Sequence, residues 1–380
     1  MTIPVMQPWL GTEELAAVTE VLESGWIAQG PKVREFEQQL AQIVETAEGV
    51  ALSSCTAGLH LSLHLLGIGP KDDVVVPSLS FIATANSVVQ TGANPVFADV
   101  DEGTQNLTAK TIESAITPRT RAVVVVHQAG VPAEIGPITE LCDRRNIAIV
   151  EDAACALGST LGGRPVGFDA DLAVFSFHPR KIITTGEGGM VVTTSADSAA
   201  RLRRLREHGM SRSAFDRHAA SGPIAEQYLE PGFNYRMTDI QAAIGISQLA
   251  RLPQIVAERR ERASRYQREL GVIAGLQSAS DPSYGTSNFQ SYWVVLPDDF
   301  PVTRDELLER LAAAEISCRR GIMASHLEPA YATAGVAMAS LPVTERLTAQ
   351  SLILPIFHGM TDGDQDRVVA VIRQAARIDR

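Results

Sequence analysis

Cysteine is scarce in this chain: four among 380 residues (Cys55, Cys142, Cys155 and Cys318), with no CxxC pair and no metal-ligand spacing. Sparse, unpatterned cysteines argue against a disulfide scaffold and fit a reducing cytoplasm. Positive charge is short as well. The formal net charge is −11 and the isoelectric point about 5.3, so no basic face is implied and a nucleic-acid partner has no support. No apolar run approaches the roughly 18 residues that a membrane span needs. The opening MTIPVMQPWLGTEEL lacks the basic start and apolar run of a secretory signal. A soluble, cytoplasmic protein with no membrane partner is expected. Neither a GxxxxGK(S/T) loop nor a GxGxxG is present, so ATP hydrolysis and dinucleotide binding by those motifs lose support.

What the chain does have is apolar material in short, regular runs. Hydrophobic residues make up 45%, and a chain this long buries roughly three quarters of its unfolded surface, enough for two domains. Thr12 can cap a first helix, with Glu13 and Glu14 in its first turn. SGWIAQGPKV (24–33) interrupts with a loop that carries Trp26, and a second helix sets Phe36, Leu40 and Ile43 on one face. From about residue 48 strand and helix alternate. GVALSS (49–54), VVVPS (74–78), PVFADV (95–100), RAVVVVH (121–127), IAIVED (147–152), LAVFSF (172–177) and GMVVTT (189–194) read as strands buried on both faces. CTAGLHLSLHLLG reads as a helix ending at Gly67, and IGPITELCDRR (135–145) as another. This repetition predicts an α/β fold with a largely parallel sheet between helices. Near 250–270 a charged helix, ARLPQIVAERRERASRYQREL, ends the rhythm, and the rest mixes YWVVLP with helices such as DELLERLAAAEI. The expected division is a large α/β domain over 1–250 and a smaller α+β domain over 251–380, with the N-terminal segment packing on the smaller one.

In parallel sheets ligands gather at the carboxyl ends of the strands. The polar residues there are Ser53, Ser54 and Thr56; Ser78 and Ser80; His127 and Gln128; Glu151 and Asp152; and Ser176. Ser54-Cys55-Thr56-Ala57-Gly58 follows a strand and opens a helix, so its free amides suit a phosphate. Asp152, in VEDAA, serves either as a helix N-cap or as the partner of a protonated ring nitrogen. Phe81, in PSLSFIATAN, is either a core residue or a platform for a flat ligand. FSFHPRKIITTGEGGMVVTT (175–194) sets Lys181 between two strands. That lysine lies either on an exposed loop or in the buried setting, with a depressed pKa, that Schiff-base chemistry uses. Ser176 adds a hydroxyl to the cradle, and Gly186, Gly188 and Gly189 let the backbone turn close beneath a ligand. A phosphate cradle, a carboxylate, an aromatic and a lysine at one sheet edge are the four things that pyridoxal phosphate needs. His60 and His64 lie on one helix face with no third ligand in sight, so no metal is expected.

These stretches resemble the DegT/StrS sugar aminotransferases, pyridoxal-phosphate enzymes of fold type I. SGWIAQGPKVREFE, the SxxTAGLHL helix, VVVPSLSFIATANSVVQTGANPVFADVD, VEDAACALGS, SFHPRKIITTGEGG, GFNYRMTDIQAAIGISQL and LPVTERLTAQSLILPIFHGMTD look like that family's signature blocks, in order. The resemblance implies a fold type I transferase with a mostly parallel, seven-stranded sheet. It implies that Lys181 forms the Schiff base and shuttles the Cα proton, that Asp152 holds the pyridine nitrogen and that Phe81 stacks on the ring. Thr56, Ala57 and Ser176 are then expected at the phosphate, with Asn234 reaching the phosphate of the neighbouring subunit in a homodimer. At Cys155 many relatives carry a glutamine or histidine that contacts the cofactor, and a thiol is the weaker donor. Trp26 and Gln29 are candidates for the substrate pocket, and Arg180, Arg319, Arg320 and His326 for a nucleotide diphosphate. The implied reaction takes an amino group from glutamate to a keto-sugar, foremost a nucleotide-linked 4-keto-6-deoxy sugar. Alternatives are a 3-keto sugar or keto-cyclitol acceptor, a sugar dehydratase, and a cofactor-binding regulatory protein without turnover. Dehydratases of the family look to have histidine where Lys181 stands, and no DNA-binding motif supports a regulator.

Overall fold

A computed structural model of the chain describes residues 2–212, 226–332 and 340–377. Its strands are β1 (Glu48–Leu52), β2 (Asp73–Pro77), β3 (Asn94–Ala98), β4 (Thr120–Val126), β5 (Ala148–Asp152), β6 (Thr160–Leu161), β7 (Arg164–Pro165), β8 (Ala173–Ser176), β9 (Gly189–Thr193), β10 (Gln277–Ser278), β11 (Gly285–Thr286), β12 (Tyr292–Val295), β13 (Arg319–Arg320) and β14 (Ser351–Leu354). The seven apolar runs read from the sequence pair into one sheet of order β1-β9-β8-β5-β4-β2-β3. Their side chains alternate between two cores, as a strand period of two requires. Val75, Val123 and Val125 enter one cluster, while Val74, Val76 and Val124 enter the opposite one.

Most pairings are parallel, but β9 runs antiparallel to both β8 and β1. The connection from β8 to β9 contains no helix, and a parallel return needs a crossover, usually helical. The chain therefore doubles back, and the loop that makes the return carries Lys181. With β9 reversed, its first residue meets the carboxyl ends of β1 and β8: Gly189 pairs with both Leu52 and Ser176.

Helices α1 (Thr12–Ser24), α2 (Pro31–Val44), α3 (Cys55–Leu65) and α4 (Ala83–Gln90) come first in the chain. The third stops at Leu65, two residues short of the expected Gly67, which follows in a left-handed conformation (φ +73°). A second sheet, antiparallel and of order β10-β12-β14-β13, lies towards the end of the chain. Ile3 pairs with Ile316 beside it, so the N-terminal arm does run along the later portion of the molecule. The helix Asp239–Leu270, started by a Thr238/Gln241 capping box, runs unbroken across residue 250.

Candidate active site

The loop between β8 and β9 is shaped by its own hydrogen bonds. The Thr184 hydroxyl and the Thr185 amide both donate to Phe177 O, at 2.9 Å each, and the Phe177 amide donates to Gly188 O at 2.9 Å. Gly186 supplies the left-handed turn (φ +84°). Lys181 leaves this frame half-buried, and its Nζ donates to Cys155 Sγ at 3.1 Å. Burial pulls the ammonium down, yet Cys155, then Cys55 and Asp152, outweigh it and leave Lys181 above the ordinary lysine value. The depressed amine expected from burial alone is thus corrected, because Cys155, Cys55 and Asp152 stand close to the amine and favour its protonated form.

Asp152 ends β5 and is 5% exposed. Its Oδ2 accepts from the Thr84 hydroxyl at 2.9 Å and its Oδ1 from the Ala154 amide at 3.2 Å. Burial pushes its carboxyl up, against the lowering pull of Thr84 and Lys181. No arginine or lysine forms an ion pair with it among the described residues. A buried carboxylate so placed gains from a protonated ring nitrogen. Beside it, His127 is fully buried, with Nε2 3.0 Å from Glu151 Oε2 and Nδ1 accepting from the Ala133 amide at 3.0 Å.

At the start of α3, Ser54 is the N-cap, and its Oγ accepts the Ala57 amide at 3.1 Å. The helix geometry leaves the earlier amides, Cys55 and Thr56, without intrahelical acceptors. A Cβ on Gly189 would lie 2.4 Å from Cys55 N and 2.5 Å from Ser54 C, so β9 reaches this cradle only as glycine. Gly58, a helical turn further along, is held to glycine for the same reason: a Cβ there would sit 2.5 Å from Val174 Cγ1. Ser176, 9% exposed, is the strand partner of Gly189 and so borders the same cradle. Phe81 is 64% exposed just beyond β2, which rules out the core reading of that residue. The cradle that only glycine can approach, the buried carboxylate and the accessible amine together fit pyridoxal phosphate.

The other candidates are placed as follows. Asn234 is exposed on a segment that pairs with Glu207, and its side chain makes no hydrogen bond among the described residues. Trp26 Nε1 donates to Gln29 O at 3.1 Å. Gln29, 6% exposed, gives its side-chain amide to Glu207 and borders a cavity of about 330 Å³ against α2. Arg180 is exposed, and its carbonyl accepts from Gln290 Nε2 at 2.7 Å. Burial, then Arg180, hold the Arg319 guanidinium below its ordinary value. Arg320 pairs with Asp305 at 3.2 Å on the surface. His326 is 4% exposed, with Nδ1 2.5 Å from Ser78 Oγ, so its ring serves the junction between β2 and the later chain. His60 turns its Nδ1 to the Tyr235 hydroxyl at 3.1 Å.

Sequence reasoning missed Thr84, Asn288 and Gln290. Thr84 had a usable signal, since it stands three residues beyond Phe81 in the same block. Asn288, which donates to Cys155 O and Leu157 O at 2.8 Å each, had none, because it arrives from 133 residues away.

The fold and the cluster at its edge define a pyridoxal-phosphate-dependent aminotransferase of fold type I. The family that matches the chain, over residues 8–373, is the DegT/DnrJ/EryC1/StrS aminotransferase family. The chain belongs to that family. Three solved structures give the degree of likeness. The aminotransferase TlmJ from Streptoalloteichus hindustanus is 38% identical over 99% of both chains, with a TM-score of 0.90. DesV from S. venezuelae, solved with a ketimine intermediate, is 34% identical over 100% of both, with a TM-score of 0.90. Spr1654 from Streptococcus pneumoniae, in its PMP form, is 28% identical over 99% of both, with a TM-score of 0.92. It has also been solved in a PLP form.

Proposed function

We propose that this protein moves an amino group from L-glutamate to a nucleotide-linked 4-keto-6-deoxy sugar. The observation that supports this most is the meeting of Lys181, Asp152 and the Ser54–Gly58 cradle at one sheet edge. When bound, pyridoxal phosphate supplies an aldehyde for amines and a ring that takes up the electron pair left on the donor's α-carbon. Lys181 would provide the amine that holds the cofactor, and its Nζ would serve as the base that moves the donor's proton. Asp152, fixed by Thr84, keeps a proton on the ring nitrogen. Phe81 covers one face of the ring. Thr56 and Ser176 hold the phosphate, and the Ala57 amide shares it with the Ser54 cap.

In the same proposal the exposed Asn234 of the partner subunit reaches this phosphate, which makes a homodimer integral to the site. Arg180 and Arg319, which feel each other's charge, would meet the acceptor, while Trp26, Gln29 and His326 would shape its approach. The large unit over 1–250 carries the chemistry, the smaller unit over 251–380 closes on it, and the setting is the cytoplasm. Turnover of glutamate with a panel of 4-keto and 3-keto sugar nucleotides and keto-cyclitols tests the reading. Amination of a 4-keto-6-deoxy sugar nucleotide at the highest kcat/KM is expected. Preference for a 3-keto sugar or a cyclitol overturns the acceptor, and no turnover with any member points to a regulator.

A further inference from the structure

The contact between Lys181 and Cys155 is built from both sides. Asn288 Nδ2 donates to Cys155 O at 2.8 Å, and Gln290 Nε2 donates to Arg180 O at 2.7 Å. The two are tied together, since the Gln290 amide donates to Asn288 Oδ1 at 2.8 Å. Gly130 lets Asn288 in: a Cβ there would meet its Oδ1 at 1.9 Å. Arg259, 1% exposed on the long helix, donates to Phe289 O at 3.1 Å and Gln290 O at 3.2 Å. One segment of the later chain thus grips the backbone on each side of the 3.1 Å approach of Nζ to Sγ. Satisfied polar networks of this kind fix one geometry.

We propose that Cys155 is a positioning residue for Lys181: its sulfur takes the Lys181 amine whenever that amine is not bonded to the cofactor, and keeps it at the reacting edge. This rests on Lys181 being the amine that carries the cofactor. Other titratable and charged groups face Lys181 too. They are Asp152 at the end of β5, Cys55 at the start of α3, and His178 and Arg180 on its own loop, with Arg319 of β13 beyond Cys155. Among these, only Cys155 accepts a hydrogen bond from Nζ.

The placement has a chemical consequence. Against the lowering pull of burial, Cys155 does the most of any neighbour to hold the proton on the Lys181 amine. A lysine that is to take a proton from carbon must first be neutral. Cys155 therefore raises the pH above which free Lys181 can act, in addition to fixing where it sits.

The chain has only four lysines, Lys32, Lys71, Lys110 and Lys181, so three serve as internal references. Competitive acetylation of the cofactor-free protein with acetic anhydride across pH 7–12, read by peptide mass spectrometry, follows each amine. In the wild type, Lys181 is expected to become reactive at higher pH than the three references. Cys155→Ala brings its curve down by about one pH unit, and Cys155→Ser, which keeps an acceptor in place of the sulfur, falls between. In the loaded enzyme, Cys155→Ala moves the acidic limb of the glutamate half-reaction to lower pH by the same amount. Superimposed Lys181 curves for the wild type and Cys155→Ala, with both variants melting as cooperatively as the wild type, overturn the proposal. Should one variant fold poorly, the other supplies the comparison. Failure of the cofactor to attach at Lys181 would sink the proposed function instead, and it is read separately, by borohydride trapping.

Discussion

At the scale of single residues, the site is organised by two charges that the protein does not let relax. Asp152 is buried, and burial raises its carboxyl above the usual range against the lowering pull of Thr84, Lys181 and the Ala154 amide. A carboxyl raised in the folded state gives its full stability below its unfolded pKa and loses it as pH rises through the folded value. The cofactor-free protein therefore loses this contribution as pH rises. Asp152→Asn should raise the melting temperature of the cofactor-free protein, by roughly 2 °C, while lowering amine transfer about a hundredfold or more. Calorimetry beside steady-state kinetics checks both, and a destabilised but active variant would contradict the role. The sequence showed which residue types stand at the strand ends. It did not show the sign of the Lys181 shift, which depends on Cys155, Cys55 and Asp152 converging from three separate stretches. Nor could it show that Phe81 lies outside the core, which its exposure does.

At the scale of elements, the reversal of β9 matters most. Hydrophobic periodicity located all seven strands to within a residue or two, because each is an apolar run bounded by polar or turn residues. Periodicity carries no direction, so the antiparallel strand was not legible; the lack of a helix between β8 and β9 was its only trace. That reversal brings Gly189 against the backbone of Ser54 and Cys55, where neither neighbour is a flexible side chain that could move aside. Gly189→Ala should therefore push β9 and α3 apart, costing about 1–3 kcal/mol of stability and weakening cofactor binding. Denaturant melts and absorbance titration with pyridoxal phosphate measure the two effects. Unchanged affinity would mean that the cradle lies elsewhere. The contacts that hold the site, Thr84 to Asp152 and Asn288 to Cys155, span 68 and 133 residues, so the pairings themselves were not legible locally.

At the scale of the whole molecule, an acidic chain with a net charge of −11 carries Lys181 in the loop between β8 and β9 at one edge of its main sheet. Among the described residues no helix is long and apolar enough to cross a membrane. The later sheet, the long helix and the N-terminal arm pack against one face of the main sheet, and from there Asn288 and Gln290 reach the Lys181 loop. Family blocks were legible along nearly the whole chain because several of them join a strand end to its loop, and the loops after β1, β2, β5 and β8 carry the candidate residues. Everything proposed for the chemistry depends on Lys181 being the residue to which pyridoxal phosphate attaches. Sodium borohydride reduction of the loaded full-length protein, followed by peptide mapping, reads that attachment directly. The label is expected on Lys181 alone. Label on Lys32, Lys71 or Lys110, or on no residue, would overturn the assignment.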